Sequence, residues 1–170
     1  FESRVQTRLS DPALSQVHYL EGGAAAGVAQ LDSLELPLLR GMTFKSFDAK
    51  RVADDAADMR LVQASYRTAM TFAEEPKDWI VIAGQTGRGK TRLAAAIGNF
   101  SRDSGKQVMF VVVPDLLDRL RSAYNPQNPA NFDTMFDQVR NAPLLVLDDL
   151  GAQSGTPWAD EKLFQLINHR

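Results

Sequence analysis

Apolar and polar positions fall into stretches of different texture along the chain. Residues 1–40 mix charge, Gly22-Gly23, an alanine run and Pro37 with no sustained helix or strand period. This predicts a poorly ordered lead-in with one short helix around Asp32 to Leu39. From Met42 the texture changes. Met42, Phe44 and Phe47 are apolar anchors on a loop, and a helix is expected from about Asp55 to Ala73. Leu61, Tyr66, Met70 and Phe72 lie roughly on one face of it, and Asp54, Asp55 and Asp58 cluster at its start, where a helix dipole favours negative charge.

The rest of the chain alternates strand and helix patterns, as an α/β domain with a parallel sheet does. Trp79-Ile80-Val81-Ile82-Ala83 is a short apolar run between Pro76 and glycines, the pattern of a strand buried on both faces. A helix is expected from Lys90 to Arg102, with Leu93, Ala94, Ile97 and Phe100 on one stripe and Gly105 as its stop. Residues 108–113 read as a second strand, and Pro114-Asp115 opens a helix carrying Leu116, Leu117 and Leu120. The Asn/Pro-rich residues 125–131 predict a loop. Phe132, Met135, Phe136 and Val139 follow one helix face, and Pro143 introduces a third strand, Leu144-Leu145-Val146-Leu147. Thr156-Pro157 opens a last helix with Leu163, Phe164 and Ile167 buried. The expected organisation is a lead-in over 1–40 and one domain over 41–170.

Composition narrows the possible chemistry. The chain has 170 residues and a formal net charge of −2, without a dense basic block, so charge gives nucleic-acid binding no support. Without cysteine there is no disulfide framework or thiolate metal site, and His18 and His169 stand far apart. No apolar run reaches the roughly 20 residues of a membrane helix, and no signal-peptide layout opens the chain, which makes cytoplasmic the expected location. Phe1 is not an initiator methionine and Arg170 interrupts a helical pattern, so a fragment of a longer protein is expected.

Gly84-Gln85-Thr86-Gly87-Arg88-Gly89-Lys90-Thr91 carries the clearest chemistry. It matches the pattern G-x-x-x-x-G-K-[ST] in full, between an expected strand and an expected helix. Phosphates are held by backbone N–H groups converging at a helix start, and the glycines permit the tight turns this needs. Lys90 is placed to reach the β- and γ-phosphates of ATP, and Thr91 to offer a hydroxyl to Mg²⁺. Asp148 and Asp149 end the third expected strand, on the side of a parallel sheet where ligands sit. Asp148 is the Mg²⁺ candidate and Asp149 the candidate for orienting the attacking water, with Lys90 the other catalytic candidate.

Arg88 adds charge toward the phosphates or points to solvent. Met42, Phe44 and Phe47 line an adenine pocket or form a hydrophobic anchor. Tyr124, Trp158 and Phe164 read as packing groups, since no basic residues interleave with them.

From Met42 onward the chain resembles the AAA+ helicase-loader group, DnaC/DnaI-like and related to IstB-type transposition helpers. The resemblance rests on Met42-Thr43-Phe44, the segment 84–91, Val113-Pro114-Asp115-Leu116-Leu117, and the run from Ala142 to Ala152 through Asp148-Asp149-Leu150-Gly151. It implies a P-loop NTPase fold of AAA+ type, a three-layer α/β/α arrangement with a parallel sheet. It also implies an ATPase that places a replicative helicase on DNA, works as a homo-oligomer and touches single-stranded DNA. Asp149 stands where many AAA+ proteins have glutamate, and this group also accepts aspartate. In the family's topology a further strand lies between the first and third, with the polar sensor, arginine finger and helical lid later still. The resemblance therefore implies a partial domain whose first and third strands keep unpaired edges. The alternatives are an IstB-type transposition helper and a nucleotide-gated binding module with little turnover.

Overall fold

The computed structural model describes residues 31–124, 130–152 and 155–170. Most of the expected lead-in and of the expected loop at 125–131 lies outside these residues. Within them, five helices follow the apolar periods: α1 Ala56–Glu74, α2 Lys90–Asp103, α3 Val113–Ala123, α4 Ala130–Arg140 and α5 Pro157–His169. Two strands, β1 Val108–Val112 and β2 Leu144–Asp148, pair in parallel with Val108 opposite Leu144 and Val112 opposite Asp148. Helices α3 and α4 make the crossover between them.

Local chemistry accounts for the helix starts. The Asp55 carboxylate accepts from the Ala57 and Asp58 amides at 2.8 Å each, and Thr156 Oγ1 accepts from the Ala159 amide at 3.3 Å. These bonds satisfy donors that a helix start leaves open. Pro114 and Pro157 sit in the first turns of α3 and α5, where the missing N–H costs nothing.

The strand side chains alternate between two apolar layers. On one face Met109, Val111, Leu145 and Leu147 meet Leu116 and Leu120 of α3, Phe132, Phe136 and Val139 of α4, and Leu166 of α5. On the other, Phe110 and Val146 pack with Ala95 of α2, and Leu144 joins Ile97 and Ala73 between α2 and α1. Each fully buried side chain of this size contributes on the order of 1.5–3 kcal/mol. Helices thus cover both faces of the sheet, giving the three-layer α/β P-loop architecture.

The short helix expected around Asp32 to Leu39 is present as two single turns, Ser33–Glu35 and Pro37–Arg40. Leu34 is fully buried in the layer with Ala95 and Phe110. Gly98 of α2 makes room for it, because a Cβ there would lie 3.1 Å from Leu34 Cδ2. The Asp32 carboxylate accepts from the Leu34 and Phe110 amides at 3.0 Å each, which ties this segment to β1.

Three expectations need correction. Residues 79–83 form no ladder; Trp79 to Ile82 instead line, together with β2, a cavity of about 290 Å³. A strand requires a hydrogen-bonding neighbour at about 4.8 Å, and among the described residues β2 pairs with β1 alone. The run packs by its side chains against α2 without entering the sheet. Leu61 and Phe164 are exposed, at 67% and 45%, because Ala69 and Ala73 take the buried face of α1 and Leu166 that of α5. Among the described residues no helix is long and apolar enough to cross a membrane.

Candidate functional site

The segment 84–89 turns from the apolar run at 79–83 into α2. Three of its glycines have positive φ, 149° at Gly84, 83° at Gly87 and 77° at Gly89, conformations that L side chains adopt only at a cost. Gly89 is the N-cap of α2 and supplies no side-chain cap. The first N–H groups of the helix consequently face the loop, where the positive end of the dipole adds to them. Gln85, Thr86 and Gly87 are exposed along the rim.

Lys90 folds over this rim, its Nζ donating to the Gln85 carbonyl at 2.9 Å. One residue on, Thr91 points toward the sheet, and its hydroxyl donates to Asp148 Oδ1 at 3.1 Å. The loop, the start of α2 and the end of β2 therefore meet at one place, and Lys90, Asp148 and Asp149 all line the same cavity.

Burial pushes the Asp148 carboxyl above its usual range; the neighbouring Asp149 charge adds to this, whereas Thr91 and Lys90 oppose it. Asp149 lies just outside β2 in the left-handed region, φ 54°, and is exposed. Aspartate tolerates that conformation better than most residues, and here it turns the chain away from the strand.

Such a cradle suits a polyphosphate: open N–H groups at a helix start, an ammonium on the rim, and a hydroxyl bonded to a carboxylate. Among the described residues no group of three or more His, Cys, Asp or Glu could hold a metal ion by itself. Mg²⁺ fits these residues nonetheless, because it takes few protein ligands and completes its shell with phosphate oxygens and water.

The remaining expected residues divide. Arg88 neither reaches over the rim nor projects to solvent: its guanidinium donates to the Val52 carbonyl and pairs with Asp54 and Asp58. Phe44 is an anchor, buried with edge-on contacts to Tyr66 and Phe100 at centroid distances of 5.5 and 6.0 Å. Phe47 packs on Tyr66 and lies against Gly89. Tyr124 meets Phe132 edge-on but is 57% exposed.

Asn99 was not among the expected site residues. Buried on α2, it donates to the Leu39 and Met42 carbonyls at 2.8 and 2.9 Å and holds the anchor segment against the helix that begins at Lys90. The sequence signal for it was a lone amide on an otherwise apolar stripe.

Residues 30–170 match the family model described as IstB-like ATP binding protein. Among curated proteins, the chain is 31% identical over 111 residues to the replicative helicase loader DnaC of Buchnera aphidicola subsp. Baizongia pistaciae, covering 65% of this chain and 45% of that protein. It is 29% identical over 134 residues to the replicative helicase loader DnaI of Bacillus subtilis, covering 78% and 41%. With DnaC of Escherichia coli strain K12 the identity is 27% over 90 residues, covering 53% and 36%. The chain spans about half the length of these relatives or less.

Proposed function

The chain belongs to the family of IstB-like ATP binding proteins, and from that premise we propose that it binds ATP with Mg²⁺ at the loop of residues 84–91, hydrolyses it, and serves the loading of a replicative helicase onto DNA. The observation that carries the nucleotide reading is the Thr91–Asp148 hydrogen bond, which joins the phosphate-loop hydroxyl to the carboxylate at the end of β2. The names of the DnaC and DnaI relatives support the helicase-loading part.

The residues divide the work as follows. Backbone N–H groups of the loop and of the start of α2 receive the phosphates, and Lys90 exchanges the Gln85 carbonyl for a phosphate oxygen. Thr91 and Asp148 would hold Mg²⁺, which when bound neutralises charge on the β- and γ-phosphates. Asp149, exposed beside Asp148, orients the attacking water. Single-stranded DNA and further copies of the chain are the remaining partners of this reading.

The test is ATP turnover by the longest protein that carries this sequence, measured with and without single-stranded DNA and its host's replicative helicase. Turnover that responds to both is expected. Turnover indifferent to the helicase would remove the loading role, and tight ATP binding without turnover would leave a nucleotide-gated binding module.

A further inference from the structure

Arg88 lies inside the phosphate loop, yet among the described residues the partners of its guanidinium belong to the segment before and at the start of α1. Nη1 donates to the Val52 carbonyl at 2.9 Å and stands 3.0 Å from Asp58 Oδ2, while Nη2 pairs with Asp54. The side chain is 28% exposed and Asp58 33%, so the inner half of the clasp is shielded, while Asp54, 76% exposed, is the more screened of the two carboxylates. The receiving segment is itself held, because Asp55 caps α1 through the Ala57 and Asp58 amides. Beside the clasp, Gly89 packs so closely that an added Cβ would lie 3.3 Å from Val52 Cγ1 and 3.4 Å from Phe47 Cε2.

The placement matters because Arg88 is flanked by the two positive-φ glycines, Gly87 and Gly89. A glycine-rich loop has more conformational freedom to lose than any other when it closes on a ligand. A planar fork fixed at three points removes that freedom in advance, which improves affinity without touching the ligand.

We propose that Arg88 is a positioning residue: it holds the phosphate loop in its binding shape by clasping it to Val52, Asp54 and Asp58, so the grip on nucleotide depends on two carboxylates that never touch the nucleotide. The inference rests on the nucleotide reading above. It differs in sign from a direct electrostatic role, in which removing the carboxylates would free the arginine for the phosphates and tighten binding.

The test compares wild type, Arg88→Ala, the double variant Asp54→Asn/Asp58→Asn and the triple combination. Two measurements are made: affinity for a fluorescent ATP analogue with Mg²⁺, and hydrogen exchange of the amides of residues 85–90 without nucleotide. The clasp predicts about tenfold weaker binding in the double variant, and a triple variant no worse than Arg88→Ala alone, because all three residues act as one unit. Exchange of the loop amides rises about tenfold in the double variant while the amides of α3 and α4 are unchanged. Tighter or unchanged binding in the double variant, or additive effects in the triple, overturns the proposal. Should Arg88→Ala fail to fold, the double variant decides alone. Should wild type bind no nucleotide, the nucleotide reading fails, and the exchange measurement still decides the clasp: unaltered loop exchange in the double variant would sink it.

Discussion

Thr91 Oγ1 donates to Asp148 Oδ1 at 3.1 Å across 57 residues of sequence, and the bond holds a half-buried carboxylate at the end of a strand. Burial outweighs that bond and raises the Asp148 pKa above its unfolded value. The folded protein therefore binds this proton more tightly than the unfolded chain. Its contribution favours folding below the unfolded carboxylate pKa and is lost as pH rises through the folded one. At neutral pH the ionised group is a net cost of the nucleotide-free fold. Asp148→Asn should accordingly raise the denaturation midpoint of nucleotide-free protein at pH 7, with an advantage that shrinks on acidification through the carboxylate range. The same variant should lose the Mg²⁺ dependence of nucleotide binding. Equal midpoints at pH 7 would mean that burial of Asp148 is not the dominant influence.

The Lys90 ammonium makes its hydrogen bond to a loop carbonyl on an exposed rim, so the fold does not lean on it. Lys90→Ala should leave the nucleotide-free denaturation midpoint within about 0.5 kcal/mol of wild type, as surface substitutions do. ATP affinity should fall by about a hundredfold, the equivalent of roughly 2.8 kcal/mol. Undiminished affinity by calorimetry would count against the whole nucleotide reading.

Asp149 combines an unusual backbone with an exposed carboxylate, φ 54° immediately after β2. Asparagine accepts the same left-handed conformation, so Asp149→Asn isolates the charge from the turn. ATP affinity should be retained and kcat should drop by about a hundredfold or more, within the range for loss of a general base. Full turnover in this variant would remove Asp149 from the chemistry. Asp149→Gly, which relieves the backbone as well, should match it in kcat and equal or exceed it in stability.

Buried amides are exacting, and Asn99 satisfies two carbonyls at once through its side-chain nitrogen, those of Leu39 and Met42. Asn99→Leu keeps the branched heavy-atom shape and removes the donor, so the Met42 carbonyl loses its side-chain partner and the Leu39 carbonyl keeps the Met42 amide. A loss of about 1–3 kcal/mol is expected from urea denaturation. Since the segment it holds leads directly to Phe44, the aromatic contacts with Tyr66 and Phe100 should loosen together, visible as a changed tyrosine signal in near-ultraviolet dichroism.

Much of this arrangement was legible in the sequence where the determinants are local. The 3.6-residue periods of residues 90–102 and 132–139, the capping Thr156 and the spacing of Gly84, Gly87, Gly89, Lys90 and Thr91 all point to the elements found. Non-local pairings were not legible in the same way. Residues 79–83 have the composition of a buried strand, but a ladder depends on a neighbour that composition does not name. Asp54 and Asp58 were explained by the dipole of α1, which concealed their pairing with Arg88. Likewise Leu34 sits in a stretch without period, and its burial depends on the notch at Gly98 and on the Asp32 bond to β1.

Gly87 and Gly89 separate two costs that usually arrive together. Both have positive φ, 83° and 77°, so alanine at either position meets a backbone penalty of roughly 1–2 kcal/mol. A Cβ on Gly87 would meet nothing within 4 Å, whereas one on Gly89 would meet Val52 and Phe47 at 3.3 and 3.4 Å. Those two side chains back the loop on the side of the Arg88 clasp, and Phe47 already leans on Tyr66. Gly87→Ala should therefore show the backbone cost alone in chemical denaturation, and Gly89→Ala a larger loss. The loop displaced by the Gly89→Ala contact carries the start of α2, so nucleotide affinity should fall further in that variant than in Gly87→Ala. Equal affinity losses in the two would mean that contact with Val52 and Phe47 has no part in shaping the phosphate loop.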